Sequence, residues 1–402
     1  MDSILNAAAL ALSKGDLLGA LNRIALRADP EALALRGVAM AQLGELSRAR
    51  ELLRAAAKAF APSETVARAR CVLAEAEIAL VSRDLTWPVE FLEAARQTLV
   101  DRGDLSNAAH AAIVAARRHL LLGHLDWAAE TVATLDPLPL PPALAAGRDM
   151  VLAGIAIRRL RAAAAQSTLA RAESAAHRSG IKALIGEVAA AQRSLHEPVA
   201  LLNTLGSIRA LVLADVETLL ASDVLVVDAS RNACRHGGKV IPLSSRPVLM
   251  AIAIGLAEAW PGTAKREALL SKAFGARHAD ESHRVRLRVE VARLRKLLAP
   301  LARIVAADGG FRLMPAAPDV AILTHPMSGH EAQIMALLAD GELWSSSALA
   351  MVLGLSTRSV QRSLQSLQEA GKIQPIGRGR SLRWTVLAAP GFPTALLMPG
   401  VA

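Results

Sequence analysis

The stretch Ser346-Ser347-Ala348-Leu349-Ala350-Met351-Val352-Leu353-Gly354-Leu355-Ser356-Thr357-Arg358-Ser359-Val360-Gln361-Arg362-Ser363-Leu364 decides how the C-terminal part of this chain folds. Its first eight residues are small or apolar, Gly354 marks a turn, and Ser356 stands where it can cap a second helix. A short apolar helix, a glycine turn and a capped amphipathic helix make a helix-turn-helix. Val360, Leu364 and Leu367 fall on one side of the second helix and read as its core stripe. Arg358, Arg362, Gln365 and Glu369 recur on the far side, with Gln361 beside them. Arginine reads guanine and glutamine reads adenine through paired hydrogen bonds, so this face carries base-reading chemistry. Ser356 and Thr357 at the helix start offer hydroxyl and N–H donors to a phosphate.

The basic segment from Gly371 to Trp384 reads as a β-hairpin, with Arg378, Arg380 and Arg383 suited to a minor groove or its flanking phosphates. Upstream, the pattern predicts a helix over 328–338, a turn at Asp340-Gly341 and a short strand at Leu343-Trp344. Residues 328–388 resemble the winged-helix domains of small bacterial repressors, through the Leu-Gly-Leu-Ser turn followed by Arg-Ser-Val-Gln-Arg-Ser-Leu. The resemblance implies duplex binding. Winged helices also dock proteins or RNA, but this outer face is polar and basic rather than apolar. Trp384 is read as an anchor packed on the core, and 389–402 as a tail.

Residues 221–316 form a second unit of strands, three helices and a hairpin. Leu225-Val226-Val227-Asp228 and Lys239-Val240-Ile241-Pro242-Leu243 read as short strands joined by a turn at Gly237-Gly238. Helices are expected over 246–260, 265–274 and 280–298, and a hairpin over 303–313. Leu243-Ser244, Pro261-Gly262, Val291-Ala292-Arg293-Leu294-Arg295-Lys296-Leu297 and Gly310-Phe311 resemble the OmpR/PhoB-type winged helix of bacterial transcription regulators. On a helical wheel Leu287, Val291, Leu294 and Leu298 share the core face of the third helix. Val285, Arg286, Val289, Ala292, Arg293 and Lys296 lie opposite. The resemblance implies that this outer face enters the major groove. Arg293 then reaches a base or phosphate, and Val289 can touch a thymine methyl. Arg288 and Arg295 flank it and suit phosphates. Two departures stand out. Ala307 beside Asp308 occupies a hairpin position usually basic in that family, and no receiver-type βα pattern precedes the unit.

Residues 1–203 read as successive amphipathic helices. A glycine, a polar residue and an alanine five positions on recur at Gly15-Asp16…Ala20, Gly44-Glu45…Ala49, Gly103-Asp104…Ala108 and Gly123-His124…Ala128. The glycine ends one helix and the alanine lets the next pack closely. This resembles an irregular tetratricopeptide array, which implies a surface for sensing a partner or for self-association. Pro137, Pro139, Pro141 and Pro142 predict a long loop in its middle. Residues 204–220 are read as a connecting helix or linker. The fold class expected is therefore mainly α, a tetratricopeptide-like array followed by two winged-helix (α+β) domains.

Charge sharpens the expectation. The net charge is +10, yet residues 1–220 hold 24 Lys and Arg against 23 Asp and Glu, whereas 221–402 hold 22 against 13. A basic second half suggests that a polyanion binds there, with double-stranded DNA as the expected partner. RNA is disfavoured because aromatic residues, the usual stacking platforms, are only 2% of the chain. Two distant cysteines, Cys71 and Cys234, rule out a disulfide framework and a Cys-rich zinc site. The N-terminus lacks a signal-peptide pattern. The long uncharged run from Trp384 holds three prolines and makes a poor membrane span. A cytoplasmic protein, on the nucleoid when DNA-bound, is the expectation. No phosphate-binding glycine loop or nucleophile elbow occurs, and His330-Glu331 is followed by Ile334 where a zinc helix needs a second histidine. No motif calls for a catalytic residue, a metal or a cofactor. The sequence thus points to a DNA-binding transcription regulator, with a non-catalytic adaptor docking proteins as the alternative.

Overall fold

A computed structural model of the chain describes residues 3–13, 16–82, 84, 87–136, 138–204, 207–275, 281–326, 329–338, 343–377, 379 and 382–386. The described chain is mainly helical, with an α+β region in its C-terminal half. Helices pack as consecutive pairs: α1 (Ser3–Ser13) with α2 (Leu17–Ile24), α3 (Pro30–Gln42) with α4 (Leu46–Ala59), and α5 (Thr65–Val81) with α6 (Val89–Asp101). Next come α7 (Leu105–Leu121) with α8 (Leu125–Ala133), α9 (Pro142–Arg158) with α10 (Ala162–Ser179), and α11 (Lys182–Ser194) against α10. The recurrent sequence pattern has a physical basis here. Gly44, Gly103 and Gly123 turn the chain at φ of +87°, +75° and +81°, a conformation that costs glycine little. Gly15 and Pro137 lie outside the described residues. Ala20, Ala49, Ala108 and Ala128 are all buried, so each second helix comes close to its neighbour. Asp16 and Asp104 cap their helices by accepting from the backbone N–H of Gly19 and Asn107.

The middle of the array also buries charge. His110 of α7 lies 3.0 Å from Glu77 of α5, and Arg117 of α7 donates to Glu187 of α11 at 2.6 Å. All four side chains are buried.

β1 (Ala200–Thr204) pairs antiparallel with β2 (Ser207–Leu211), and α12 (Leu213–Ala221) follows. The segment 204–220, read as a connecting helix or linker, therefore contains a strand as well as a helix. Four of the five β2 residues are exposed, which removes the alternation that would have announced it. β3 (Val224–Asp228), β4 (Ala233–His236) and β5 (Lys239–Pro242) come next, so the turn at Gly237-Gly238 joins β4 to β5 rather than β3 to β5. Then follow α13 (Pro247–Ala259), β6 (Ala264–Lys265), α14 (Arg266–Phe274), α15 (Glu281–Leu298), β7 (Ala302–Ala307), β8 (Gly310–Pro315) and β9 (Asp319–Thr324). β9 returns between β1 and β3, pairing in parallel with β3, and gives a six-stranded sheet in the order β2-β1-β9-β3-β4-β5. A smaller sheet has the order β6-β8-β7.

The two central strands are covered on both faces. Leu225, Val227, Val320 and Ile322 pack with the core of α13 to α15. Val226 and Leu323 point the other way, into a core shared with α9 to α12. This double burial explains the unbroken apolar run Leu225-Val226-Val227. The chain ends, within the described residues, in α16 (Gly329–Leu338), α17 (Ser346–Leu353), α18 (Thr357–Glu369), β10 (Ile373–Ile376) and β11 (Arg383–Val386). Ile334, Leu338, Leu349, Val360, Leu364, Leu367, Ile373 and Trp384 make their core. Trp344 contributes an isolated bridge to Trp384. The expected turn at Asp340-Gly341 and the tail 389–402 fall outside the described residues. No helix among the described residues is long and apolar enough to cross a membrane.

Candidate nucleic-acid interface

The candidate interface consists of the outer faces of α15 and α18, each fixed by an apolar stripe beneath it. In α15 the stripe is Leu287, Val291, Leu294 and Leu298, each at most 2% exposed. Burial of that stripe turns Val285, Val289, Ala292 and Lys296 outward and leaves the two valines half uncovered.

The cations of α15 divide by flank. Arg293, about two-thirds exposed, pairs with Glu290 of its own helix at 2.8 Å. Arg288 reaches only 3.8 Å from Glu281 and is also exposed. The Arg288–Glu281 pair, exposed on both sides, holds its arginine weakly, whereas Glu290 beside Arg293 is largely covered. Arg286 lies over the Phe274 ring at 4.8 Å, a cation–π contact that fixes its direction. Arg295 turns to the small sheet, where its Nε donates to the Ile304 carbonyl at 2.7 Å. Its guanidinium thus ties α15 to β7, a structural duty that the sequence did not announce.

Arg293 and Lys296 share an open groove of about 640 Å³ with Ser245, Arg246, Pro247, Val248 and Leu249 at the start of α13. Pro247 occupies the first turn, and no side chain caps it. The uncapped start of α13 and three cations therefore line the same groove, with Glu290 the carboxylate among them. The sequence reading missed Ser245 and Arg246. The available signal was a basic residue directly before a proline-initiated helix.

In α18, Val360, Leu364 and Leu367 are fully buried. Ser356 caps the helix by accepting from the Ser359 N–H at 3.1 Å. Thr357, Arg358, Gln361 and Arg362 are exposed on the first two turns. Gln365, one turn on, donates to Glu369 at 3.0 Å. Gly354, in the left-handed conformation, ends α17 and sets the angle between the two helices. Ser345 caps α17 through the Ala348 N–H. Trp384 of β11 is buried, and its Nε1 donates to the Ser346 hydroxyl at 3.0 Å, so the hairpin is pinned to α17 as expected of an anchor. Arg383 on that hairpin is half-buried, and Arg378 and Arg380 lie outside the described residues.

Two separate cation-bearing helix faces thus sit on rigid cores, an arrangement suited to contacting an extended polyanion. Among the described residues, no group of three or more His, Cys, Asp or Glu side chains is placed to hold a metal ion. Comparison of the chain with protein-family models, with curated proteins and with solved structures finds no match.

Proposed function

We infer that this protein is a sequence-specific, double-stranded DNA-binding transcription regulator. In this reading α13 to α15 with β7 and β8, and α16 to α18 with β10 and β11, act as two dissimilar winged helices. The tetratricopeptide-like array senses a protein partner or holds a dimer. The observation that carries the reading is the start of α18. Arg358, Gln361 and Arg362 stand exposed directly opposite a fully buried stripe, beside a serine-capped helix N-terminus. That combination offers phosphate donors and base-edge donors on one helix end. Supporting it are the excess of basic residues after residue 220 and the exposed Val289 flanked by Arg288 and Arg293.

Phosphate contacts by Arg288, Arg293 and Lys296 would supply most of the affinity, and the faces around Arg293 and Arg362 the choice of sequence. Selection of bound duplexes from a random library by the full-length protein tests the reading. An enriched motif is expected, and Arg362→Ala should relax one part of it at a cost of about 1–3 kcal/mol. Binding should weaken steeply with salt, the logarithmic slope falling by about one for each phosphate contact removed. No enriched motif at low salt would refute it.

A further inference from the structure

The β10–β11 hairpin is buried on both faces, which two strands standing at the edge of a small module do not need. Ile373, Trp384 and Val386 point inward, to the core of α16 to α18. The strand alternation places Gln374, Ile376, Arg383 and Thr385 on the opposite face, with Gln374 across from Thr385 and Ile376 across from Arg383. Three of those four outer side chains are nonetheless buried: Gln374 is 6%, Ile376 7% and Thr385 1% exposed. Ile376 packs into the core formed by α5, α6 and α7, with Leu73, Leu80, Leu99 and Leu121. The outer face of the hairpin is therefore seated on the helical array at Ile376.

That seat is imperfect. Both the Nε2 and the Oε1 of Gln374 are buried without a hydrogen-bond partner among the described residues. An unpaired buried amide opposes part of the apolar gain from Ile376, which leaves the contact only weakly favourable, closed but easily opened. Arg383, the one described hairpin arginine assigned above to DNA, lies on this same face.

We propose that the outer face of β10–β11 is an autoinhibitory latch, in which the array and duplex DNA compete for the same hairpin. The proposal rests on the DNA-binding reading. A partner that draws α5 to α7 away would free the hairpin, and apparent DNA affinity would rise as the unlatched fraction grows.

Two substitutions of opposite sign test it in the full-length protein. Ile376→Asn places a polar, uncharged side chain in the apolar seat and opens the latch without adding a charge to the face that meets DNA. Gln374→Leu removes the stranded amide and closes it. Hydrogen exchange and binding of a fluorescein-labelled duplex, recovered by selection with the wild type, are measured on all three proteins. Ile376→Asn should speed exchange in both β10–β11 and α5–α7 and tighten duplex binding about tenfold. Gln374→Leu should slow exchange in both places and weaken binding. Continued protection of α18 shows that the module is folded in each variant. Faster exchange in the hairpin alone, or equal affinity across the three proteins, overturns the latch while leaving DNA binding intact. If no duplex is recovered at all, the DNA-binding reading fails and the latch with it.

Discussion

Gly310 opens β8 and pairs with Lys265 of β6, so Gly310→Ala tests how the middle unit's small sheet is held. A Cβ at this position would stand 1.9 Å from the Ala264 carbonyl oxygen, where real contacts do not fall below 3.0 Å. The backbone of β6 must therefore retreat by about 1 Å or more, since a carbonyl cannot rotate away as a side chain can. β6 is held to β8 through only two residue pairs, with one further bond from the Arg266 N–H to the Gly309 carbonyl. Losing two of these bonds costs about 2 kcal/mol, and partly uncovering Phe311 adds about 1–2 kcal/mol. A local loss of roughly 3–4 kcal/mol corresponds to exchange of the protected β6–β8 amides becoming more than about 100-fold faster. Gly186→Ala is the matched control. It lies exposed within α11 with nothing near its would-be Cβ, so alanine there should stabilise by about 0.5–1 kcal/mol. The assay is native-state hydrogen exchange read by peptide. Acceleration below about threefold at β6–β8 would mean that β6 moves freely, and the steric argument would fail.

Breaking the buried Arg117–Glu187 pair by Arg117→Met should cost about 3–5 kcal/mol, because Glu187 is left charged in the core. The double replacement with Glu187→Leu should recover most of that loss, and a denaturant double-mutant cycle measures the coupling. Burial first, and the Lys372 and Arg231 cations second, push the His325 imidazole down to about 4. A depressed base favours the neutral ring in the fold, so this contribution is full above pH 6.5 and is lost as pH falls towards 4. His325→Gln should accordingly flatten the acid limb of a thermal-unfolding profile between those values, and an unchanged limb would refute the assignment. A fragment of residues 221–402 lacks β1, β2, α12 and the array, and uncovers Val226 and Leu323 at roughly 1.5–3 kcal/mol each. It should bind a hydrophobic dye and aggregate; a monodisperse fragment with a sharp unfolding transition would show that the sheet does not need its second layer.

The two cation-bearing helices, α15 and α18, were legible because each obeys one rule through its whole length. Leu287, Val291, Leu294 and Leu298, and again Val360, Leu364 and Leu367, return at helical spacing and are buried as that spacing demands. Capping was equally local: Ser356 and Gly354 announce their own geometry. The alanine of each glycine–polar–alanine repeat also went where a close helix contact requires a small side chain. What escaped was non-local. Asp319-Val320-Ala321-Ile322-Leu323-Thr324 has the composition of a strand, but nothing within it says that it inserts between β1 and β3. Arg295 reads as one more outward cation until the carbonyl of Ile304, nine residues on, is seen to claim it. The docked hairpin escaped for the same reason. Ile376 looks like any apolar strand residue, and only its partner helices, some 250–300 residues earlier, make it an interface.

The insertion of β9 has a consequence for how the parts communicate. β9 is hydrogen-bonded to β1, which follows directly on the last array helix, and to β3, which opens the middle unit. Its far end at Thr324 lies five residues before α16, so the short passage into the terminal unit starts from the shared sheet. Because Val226 and Leu323 of that sheet belong to the same core as α9 to α12, a shift of those helices cannot be absorbed at a loose linker. It must either carry β9 with it or open a gap beneath two fully buried side chains. The array therefore bears on the terminal unit at two points, through β9 at its base and through the seat of Ile376 at its hairpin. A ligand or partner that rearranges α5 to α7 relative to α9 to α12 would load these two contacts unequally, and the hairpin, with its unpaired amide, is the one that would yield first.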